Sequence, residues 1–167
     1  MIDSAYCEKM AQYNQWMNKR LYEVCAKIND KERKSDKGAF FKSIHATLNH
    51  IIYGDLAFLS RFTGEPSVVP EMGVLLYDDF DTLFKARIDL DQRIVGWASA
   101  LDHEWLRSTT TYTSKVDKKI RTVENWVLIT HMFNHETHHR GQITTLLSQI
   151  GLDMGTTDLP FLPGIEA

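Results

Sequence analysis

Two histidines four residues apart, His135 and His139, are the residues of this sequence best placed to do chemistry. They lie in the run 134–142 (NHETHHRGQ), inside a longer segment with helical apolar periodicity and no proline. Side chains at positions i and i+4 of an α-helix lie one turn apart on the same face. The two imidazoles can therefore present ring nitrogens to one ion, and the spacing predicts half of a metal site.

A third histidine lies on a predicted helix face made of small side chains. The members of this face recur at intervals of three and four residues: Ser43, Thr47, His50, Gly54 and Ala57. Small neighbours leave space around the imidazole of His50. If this face lies opposite His135 and His139, the three imidazoles surround a cavity, and a bundle core is where facing helices commonly assemble metal sites.

Two further residues have more than one possible role near such a site. His131 lies one turn before His135, so it is a candidate fourth ligand, a hydrogen-bond donor behind a ligand, or a polar residue lining the pocket. Asp55 lies on the apolar stripe of the same predicted helix as His50, where an unpaired carboxylate is costly. It either orients a ligand imidazole through the free N–H or pairs with an arginine.

The neighbours of the histidine pair are interpreted structurally. His138 points about 100° away from His139, so we expect it to be buried and hydrogen bonded rather than a ligand. Glu136 and Arg140 have the spacing of an ion pair, on the surface, in the core or at a dimer interface. Gly141 within a helix predicts close packing against another backbone.

The chain is organised as four long predicted helices. They cover about residues 4–29, 36–63, 78–103 and 123–150, with a loop at about 64–74, a short hairpin or extended excursion between about 104 and 121, and a coil tail. Four helices of this length, with at least two long connections, predict an all-α four-helix bundle. We expect residues 1–167 to form a single domain.

Composition excludes several classes of partner. The 167 residues are 43% hydrophobic with a net charge of -3, and no run of lysine or arginine forms a basic arm. We therefore expect no nucleic-acid partner. The N-terminus lacks a basic start followed by an apolar stretch, and no window approaches the roughly 18 apolar residues of a membrane span. We expect a cytoplasmic protein with no membrane partner.

The two cysteines agree with a reducing compartment. Cys7 and Cys25 fall in one predicted helix, where their separation corresponds to about 27 Å along the axis. Bridged Cα atoms lie within about 7 Å of each other, so no intrachain disulfide is expected. Both are interpreted as small buried hydrophobic residues.

Three separated motifs resemble the DinB family, within the wider DinB/YfiT-like superfamily. In chain order they are 13–18 (YNQWMN), 43–51 (SIHATLNHI) and 134–142 (NHETHHRGQ), and they span nearly the whole chain. The resemblance implies an up-down-down-up four-helix bundle, often a homodimer, with a divalent metal held by three histidines. On this chain the implied ligands are His50, His135 and His139.

One departure from the family pattern follows the first ligand. Family members often have tryptophan in this segment, whereas this chain has Phe58. Phenylalanine keeps the aromatic body and loses the indole donor. This departure changes the polarity expected of the pocket more than it changes the prediction that a metal is bound.

Three imidazoles leave coordination positions open to water or substrate, as in catalytic sites. Nitrogen ligands favour zinc or nickel, with iron or manganese as alternatives. The resemblance implies a metal-dependent enzyme, either a thiol-dependent S-transferase that uses a low-molecular-weight thiol or a hydrolase, acting on a small-molecule substrate. The alternatives are a non-catalytic metal-binding protein of the DNA-damage (stress) response, and a bundle that binds a small apolar molecule. No general acid or base is evident.

Overall fold

A computed structural model describes residues 2–66, 69–71, 73–115 and 117–165. Its elements in chain order are α1 (Ser4–Cys25), α2 (Asp30–Lys34), α3 (Ile44–Thr63), α4 (Phe80–Ser99), α5 (His103–Arg107), β1 (Thr109–Thr113), β2 (Ile120–Glu124), α6 (Asn125–Gln149) and a 3-10 turn (Leu159–Phe161). The four long helices α1, α3, α4 and α6 correspond to the four predicted ones. The predicted helical bundle is confirmed.

The four long helices enclose one hydrophobic core. Both α1 and α3 pack against α4 and against α6. The interior is filled by side chains from all four helices that are almost completely buried, among them Leu21, Leu48, Leu83 and Phe133. Because α3 and α6 are direct neighbours, the helix that carries His50 lies against the helix that carries His135 and His139.

The start of α3 differs from the prediction. The helix was expected from about residue 36, but it begins at Ile44. Ser43 is its N-cap, and the Ser43 hydroxyl accepts a hydrogen bond from the Ala46 amide (3.1 Å). The preceding residues form a tight turn in which Lys42 has a φ of 68° and pairs with Ala39 in an isolated antiparallel bridge. Such a backbone cannot continue a right-handed helix. The turn places Phe41 beside the N-terminal half of α3.

The first and third long helices also end earlier than predicted. The first long helix ends at Cys25 rather than near residue 29, and the Asn29 side chain caps the separate helix α2. The third ends at Ser99 rather than near residue 103, and Asp102 caps α5. The predicted loop at 64–74 has no helix or strand at its described positions, and residues 67, 68 and 72 lie outside the described chain.

Of the two structures predicted before the last helix, a short hairpin or an extended excursion, the hairpin is present. Strands β1 and β2 pair antiparallel, with Thr111 opposite Thr122 and a hydrogen bond of 2.8 Å between their hydroxyls. The hairpin leads directly into α6, whose first residue, Asn125, donates its side-chain amide to the Trp105 carbonyl (2.9 Å). This bond ties α5 to the start of α6.

Both cysteines lie in α1 as free, buried residues, which confirms the prediction for them. Among the described residues, no helix is both long and apolar enough to cross a membrane.

Candidate metal centre

Three imidazoles converge where α3 faces α6. The Nε2 atom of His135 lies 3.1 Å from Nε2 of His50 and 3.1 Å from Nε2 of His139. In the part of the chain that the structure describes, no further histidine, cysteine, aspartate or glutamate joins this group. The structure thus brings together the three histidines that the sequence selected from two distant segments.

Gly54 makes this convergence possible. It follows His50 by one helical turn on the face of α3 that meets α6. A Cβ at this position would lie 2.7 Å from Cε1 of His135 and 3.1 Å from its Nδ1. The small-residue face predicted around His50 therefore has a physical function, because any larger side chain at position 54 would displace the ring of His135.

The donor set fits a divalent metal ion. Zinc binds histidine nitrogens at about 2.0–2.1 Å in a tetrahedral arrangement, which places two such nitrogens roughly 3.3 Å apart. The two Nε2 distances of 3.1 Å to His135 are close to that spacing. Three ring nitrogens that face one another cannot all be satisfied by each other, and a shared cation would satisfy them.

A glutamine orients one of the three rings. Oε1 of Gln142 lies 2.8 Å from Nδ1 of His139, so this nitrogen carries the proton and its Nε2 keeps a free lone pair. The Gln142 amide nitrogen lies 3.2 Å from Nε2 of His138. This chain of contacts sets the orientation of the amide. Gln142 lies within the sequence motif that contains the histidines, three residues after His139, and this i, i+3 spacing is the signal by which its role could have been predicted.

Burial keeps the imidazoles neutral. Desolvation and the neighbouring His139 lower the pKa of His50 to about 4. Desolvation and the surrounding histidines lower the pKa of His135 to about 3. Burial also lowers the pKa of His139. Metal ligation requires neutral imidazole, so these shifts leave the site ready for an ion at neutral pH.

The structure distinguishes between the possible roles of the two additional candidates. His131 lines the adjacent cavity, with its ring centroid 6.0 Å from that of His135, and it lies outside the group of three. Asp55 forms an ion pair with Arg87 in the bundle core, the second of the roles considered for it. The side chain that orients a ligand imidazole is Gln142.

Two expectations about the neighbours of the ligands were wrong. His138 is exposed rather than buried, although it is hydrogen bonded to Gln142. A Cβ on Gly141 would meet no described atom within 4 Å, so this glycine does not mark a close helix contact. Gly54, which the sequence placed on the small-residue face, is the glycine in close contact with α6, through the side-chain ring of His135.

A buried ionic network lies on a different face of α6 from the ligand histidines, about 100° around the helix axis. Glu136 pairs with Arg140 at 2.7 Å and accepts a hydrogen bond from Asn18 at 3.1 Å. Asn18 also donates to Asp91, at 3.0 Å, and the guanidinium of Arg87 lies 2.8 Å from Asp91. The Glu136–Arg140 pair is therefore in the core, one of the three places considered for it. The network connects α1, α4 and α6.

The three imidazoles open into a cavity of about 550 Å³, a volume typical of small-molecule sites. Aromatic side chains form much of its wall. Phe41 stacks on His50 with a centroid separation of 3.9 Å, and Phe58 packs edge-on against His135 at 6.2 Å. Phe58 thus occupies a wall position in which no hydrogen-bond donor is supplied, as expected from the departure noted in the sequence.

The sequence pattern of the DinB family matches residues 1–166. The chain belongs to the DinB family. It is 23% identical to Protein DinB of Bacillus subtilis strain 168 in an alignment of 167 positions, which covers 95% of this chain and 92% of that protein. The crystal structure of a DinB-like protein from Bacillus cereus ATCC 10987 superposes with a TM-score of 0.66 at 19% identity, over 86% of this chain and 90% of that one. This structural likeness shows a shared fold.

Several residues that line the cavity of this DinB-family chain were not predicted from the sequence. Phe41 precedes α3 and reaches His50 only through the turn at Lys42. Tyr112 comes from β1 and meets Arg61 of α3, whose guanidinium lies 4.5 Å from the ring centroid. Contacts between such distant segments leave no local pattern. For Arg61, the only signal was its position eleven residues after His50, on the same helix face.

Proposed function

We propose that His50, His135 and His139 bind one divalent metal ion through their Nε2 atoms. The observation that carries the proposal is the approach of both other Nε2 atoms to within 3.1 Å of that of His135. An all-nitrogen donor set favours zinc or nickel, with iron or manganese as alternatives. Because only three protein ligands are available among the described residues, at least one coordination position would face the cavity.

We further propose that the protein is a metal-dependent enzyme, either a thiol-dependent S-transferase or a hydrolase acting on a small molecule. An ion with an open position acts as a Lewis acid and lowers the pKa of water or of a thiol. The support is the cavity of about 550 Å³ beside the three imidazoles, which has room for a low-molecular-weight thiol and an acceptor. A homodimer, which the family resemblance implies, is a further prediction.

The surrounding residues would prepare this site. Gln142 fixes the ring of His139 through the contact at Nδ1. Gly54 provides the space in which the ring of His135 lies, and Phe41 covers one face of His50. The aromatic wall limits access of bulk water to the imidazoles, which strengthens electrostatic interactions within the cavity.

Metal analysis of single variants tests the ligand assignment. We expect the wild-type protein, purified after incubation with zinc or nickel, to hold one ion per chain. His50→Ala, His135→Ala and His139→Ala should each lose most of this metal. His138→Ala is the matched control, because His138 is adjacent to a ligand and exposed. Full metal content in His135→Ala would show that the assignment is wrong.

Cobalt substitution separates the enzymatic proposal from a closed site. If a coordination position is open, low-molecular-weight thiols should change the visible bands of the cobalt-loaded protein, and a thiol with an electrophilic acceptor should be turned over. Cobalt bands that no thiol changes would remove the support for the S-transferase. They would leave the hydrolase, or a non-catalytic metal-binding protein, as the better description.

A further inference from the structure

The cavity extends away from the histidines along one face of α3. Gly54, Ala57 and Arg61, which follow His50 along α3, all line it. Positions 50 and 61 are eleven residues apart, which corresponds to about 16 Å along the helix axis and to nearly the same direction around it. Long side chains on a helix lean towards its N-terminus. The side chain of Arg61 therefore extends back towards the three imidazoles.

Arg61 has an unusual environment for a cation. Its guanidinium lies 5.1 Å from the ring centroid of Phe58 and 4.5 Å from that of Tyr112, so two aromatic rings hold it. Among the described residues, no carboxylate forms an ion pair with Arg61 and no acceptor takes a hydrogen bond from it. Burial lowers the pKa of Arg61, and burial together with the nearby Arg61 charge lowers the pKa of His131. The guanidinium is thus positioned without a counter-ion.

The charged side chains that line the described part of the cavity are all cations. Lys115 is a second lining cation, with its Nζ atom 5.5 Å from the ring centroid of Tyr53. Within the described chain, the residues that line the cavity include no aspartate and no glutamate. The protein as a whole carries a net charge of -3, so this cationic, acid-free cavity is not a reflection of overall composition. A site of this kind attracts anions.

We propose that Arg61, assisted by Lys115, binds a carboxylate group of the substrate. The planar guanidinium matches a carboxylate in two parallel hydrogen bonds. The apolar or aromatic middle of the substrate would lie against Phe58 and Tyr112, and its other end would reach the three histidines. The substrate class is therefore a small carboxylic acid with an apolar body. The position of its reactive end rests on the proposed function, whereas the carboxylate site rests on Arg61 and the cavity wall.

Two matched probes test the carboxylate site. We choose 4-(mercaptomethyl)benzoate and 4-(mercaptomethyl)benzamide, which share a thiol and an aromatic body and differ in charge. Dissociation constants would be measured by NMR titration of the full chain, with the cobalt content determined separately. We expect the benzoate to bind about tenfold more tightly, since a charge-assisted hydrogen bond contributes on the order of one power of ten in affinity.

Arg61→Gln should reduce this preference to about twofold or less without changing the affinity for the benzamide or the cobalt content. Arg61→Lys should keep part of the preference. Arg93→Gln is the control, because Arg93 is an exposed arginine of α4 that does not line the cavity. Equal affinities of the two probes for the wild type, or an undiminished preference in Arg61→Gln, would overturn the proposal. A protein that binds no cobalt but keeps the preference would contradict the proposed function and leave the carboxylate site in place.

Discussion

Gly54 of α3 and His135 of α6 are in such close contact that a Cβ on the glycine would lie 2.7 Å from Cε1 of the imidazole. Real Cβ atoms almost never approach another atom so closely, so the ring would have to move. The contact makes position 54 a determinant of the site although the residue has no side chain. It is also where the two ligand-bearing helices approach each other at the histidines.

Gly54→Ala should weaken metal binding by about tenfold or more, because a shift of His135 takes its Nε2 atom out of line with those of the other two histidines. Gly141→Ala is the matched control, since it makes the same change within a helix at a position where the added Cβ meets no described atom within 4 Å. It should bind metal normally and stabilise the protein by up to about 1 kcal/mol through helix propensity. Zinc titrations monitored by a competing chelator measure both. Equal affinities in the two variants would show that the contact does not determine the position of the ring.

Gln142→Leu should lower metal affinity by about 10- to 100-fold, the usual effect of removing the partner that orients a ligand imidazole. The reason is that Nδ1 of His139 loses the acceptor that selects its protonation state. Gln142→Glu, which keeps the acceptor, should bind metal at least as well as the wild type. His138→Ala removes only the outer contact of the amide and should change affinity little. A Gln142→Leu variant with wild-type affinity would contradict the role assigned to Gln142.

The metal-free protein should lose stability as the pH falls below about 6.5. In the unfolded chain the imidazoles take up protons near pH 6.5, whereas in the folded protein His50 does so only at about 4 and His135 at about 3. Between these values the unfolded chain binds more protons, so the free energy of unfolding decreases as pH decreases. Urea unfolding of the metal-free protein at several pH values from 4 to 7.5 measures this slope.

The slope should become shallower in His50→Gln, because one of the imidazoles with a lowered pKa is removed. His103→Gln is the control, since His103 is an exposed residue at the start of α5, far in sequence from the three histidines. An identical slope in the wild type and His50→Gln would show that the imidazoles are not held neutral.

Arg87→Met should destabilise the protein by about 3 to 5 kcal/mol at pH 8, the typical cost of removing one partner from a buried ion pair. Arg87 and Asp55 are both almost completely buried, and Asp91 lies 2.8 Å from the same guanidinium. Arg93→Met breaks the exposed pair with Glu65 and should cost less than about 1 kcal/mol. Chemical unfolding compares the two variants.

The cost of Arg87→Met should be smaller at pH 5. Burial already raises the pKa of Asp91 to about 6 while Arg87 opposes the shift, and removal of the guanidinium should raise it further. The carboxyl groups are then protonated in the folded variant, and neutral groups are cheaper to bury. A cost that does not depend on pH would mean that the carboxylates find another counter-charge.

Much of the fold and half of the site follow from local rules in the sequence. The four long helices were predicted from apolar periodicity, and His135 and His139 share a face because an α-helix has 3.6 residues per turn. The small-residue face around His50 was visible for the same reason. Helix geometry depends only on neighbours along the chain, so these features can be predicted from one segment at a time.

Contacts between segments were decided by tertiary packing. Asp55 pairs with Arg87, and Gly54 contacts the ring of His135, because α3 packs against both α4 and α6. The spacing of residues within α3 does not specify which residues of the other helices face Asp55 and Gly54. The assembly of Arg61 with Tyr112 likewise depends on where the hairpin lies against α3. By itself the sequence determined the helices, the histidine pair and the space beside His50. Only the folded chain decided which side chains meet there, because partner choice depends on the relative placement of whole helices.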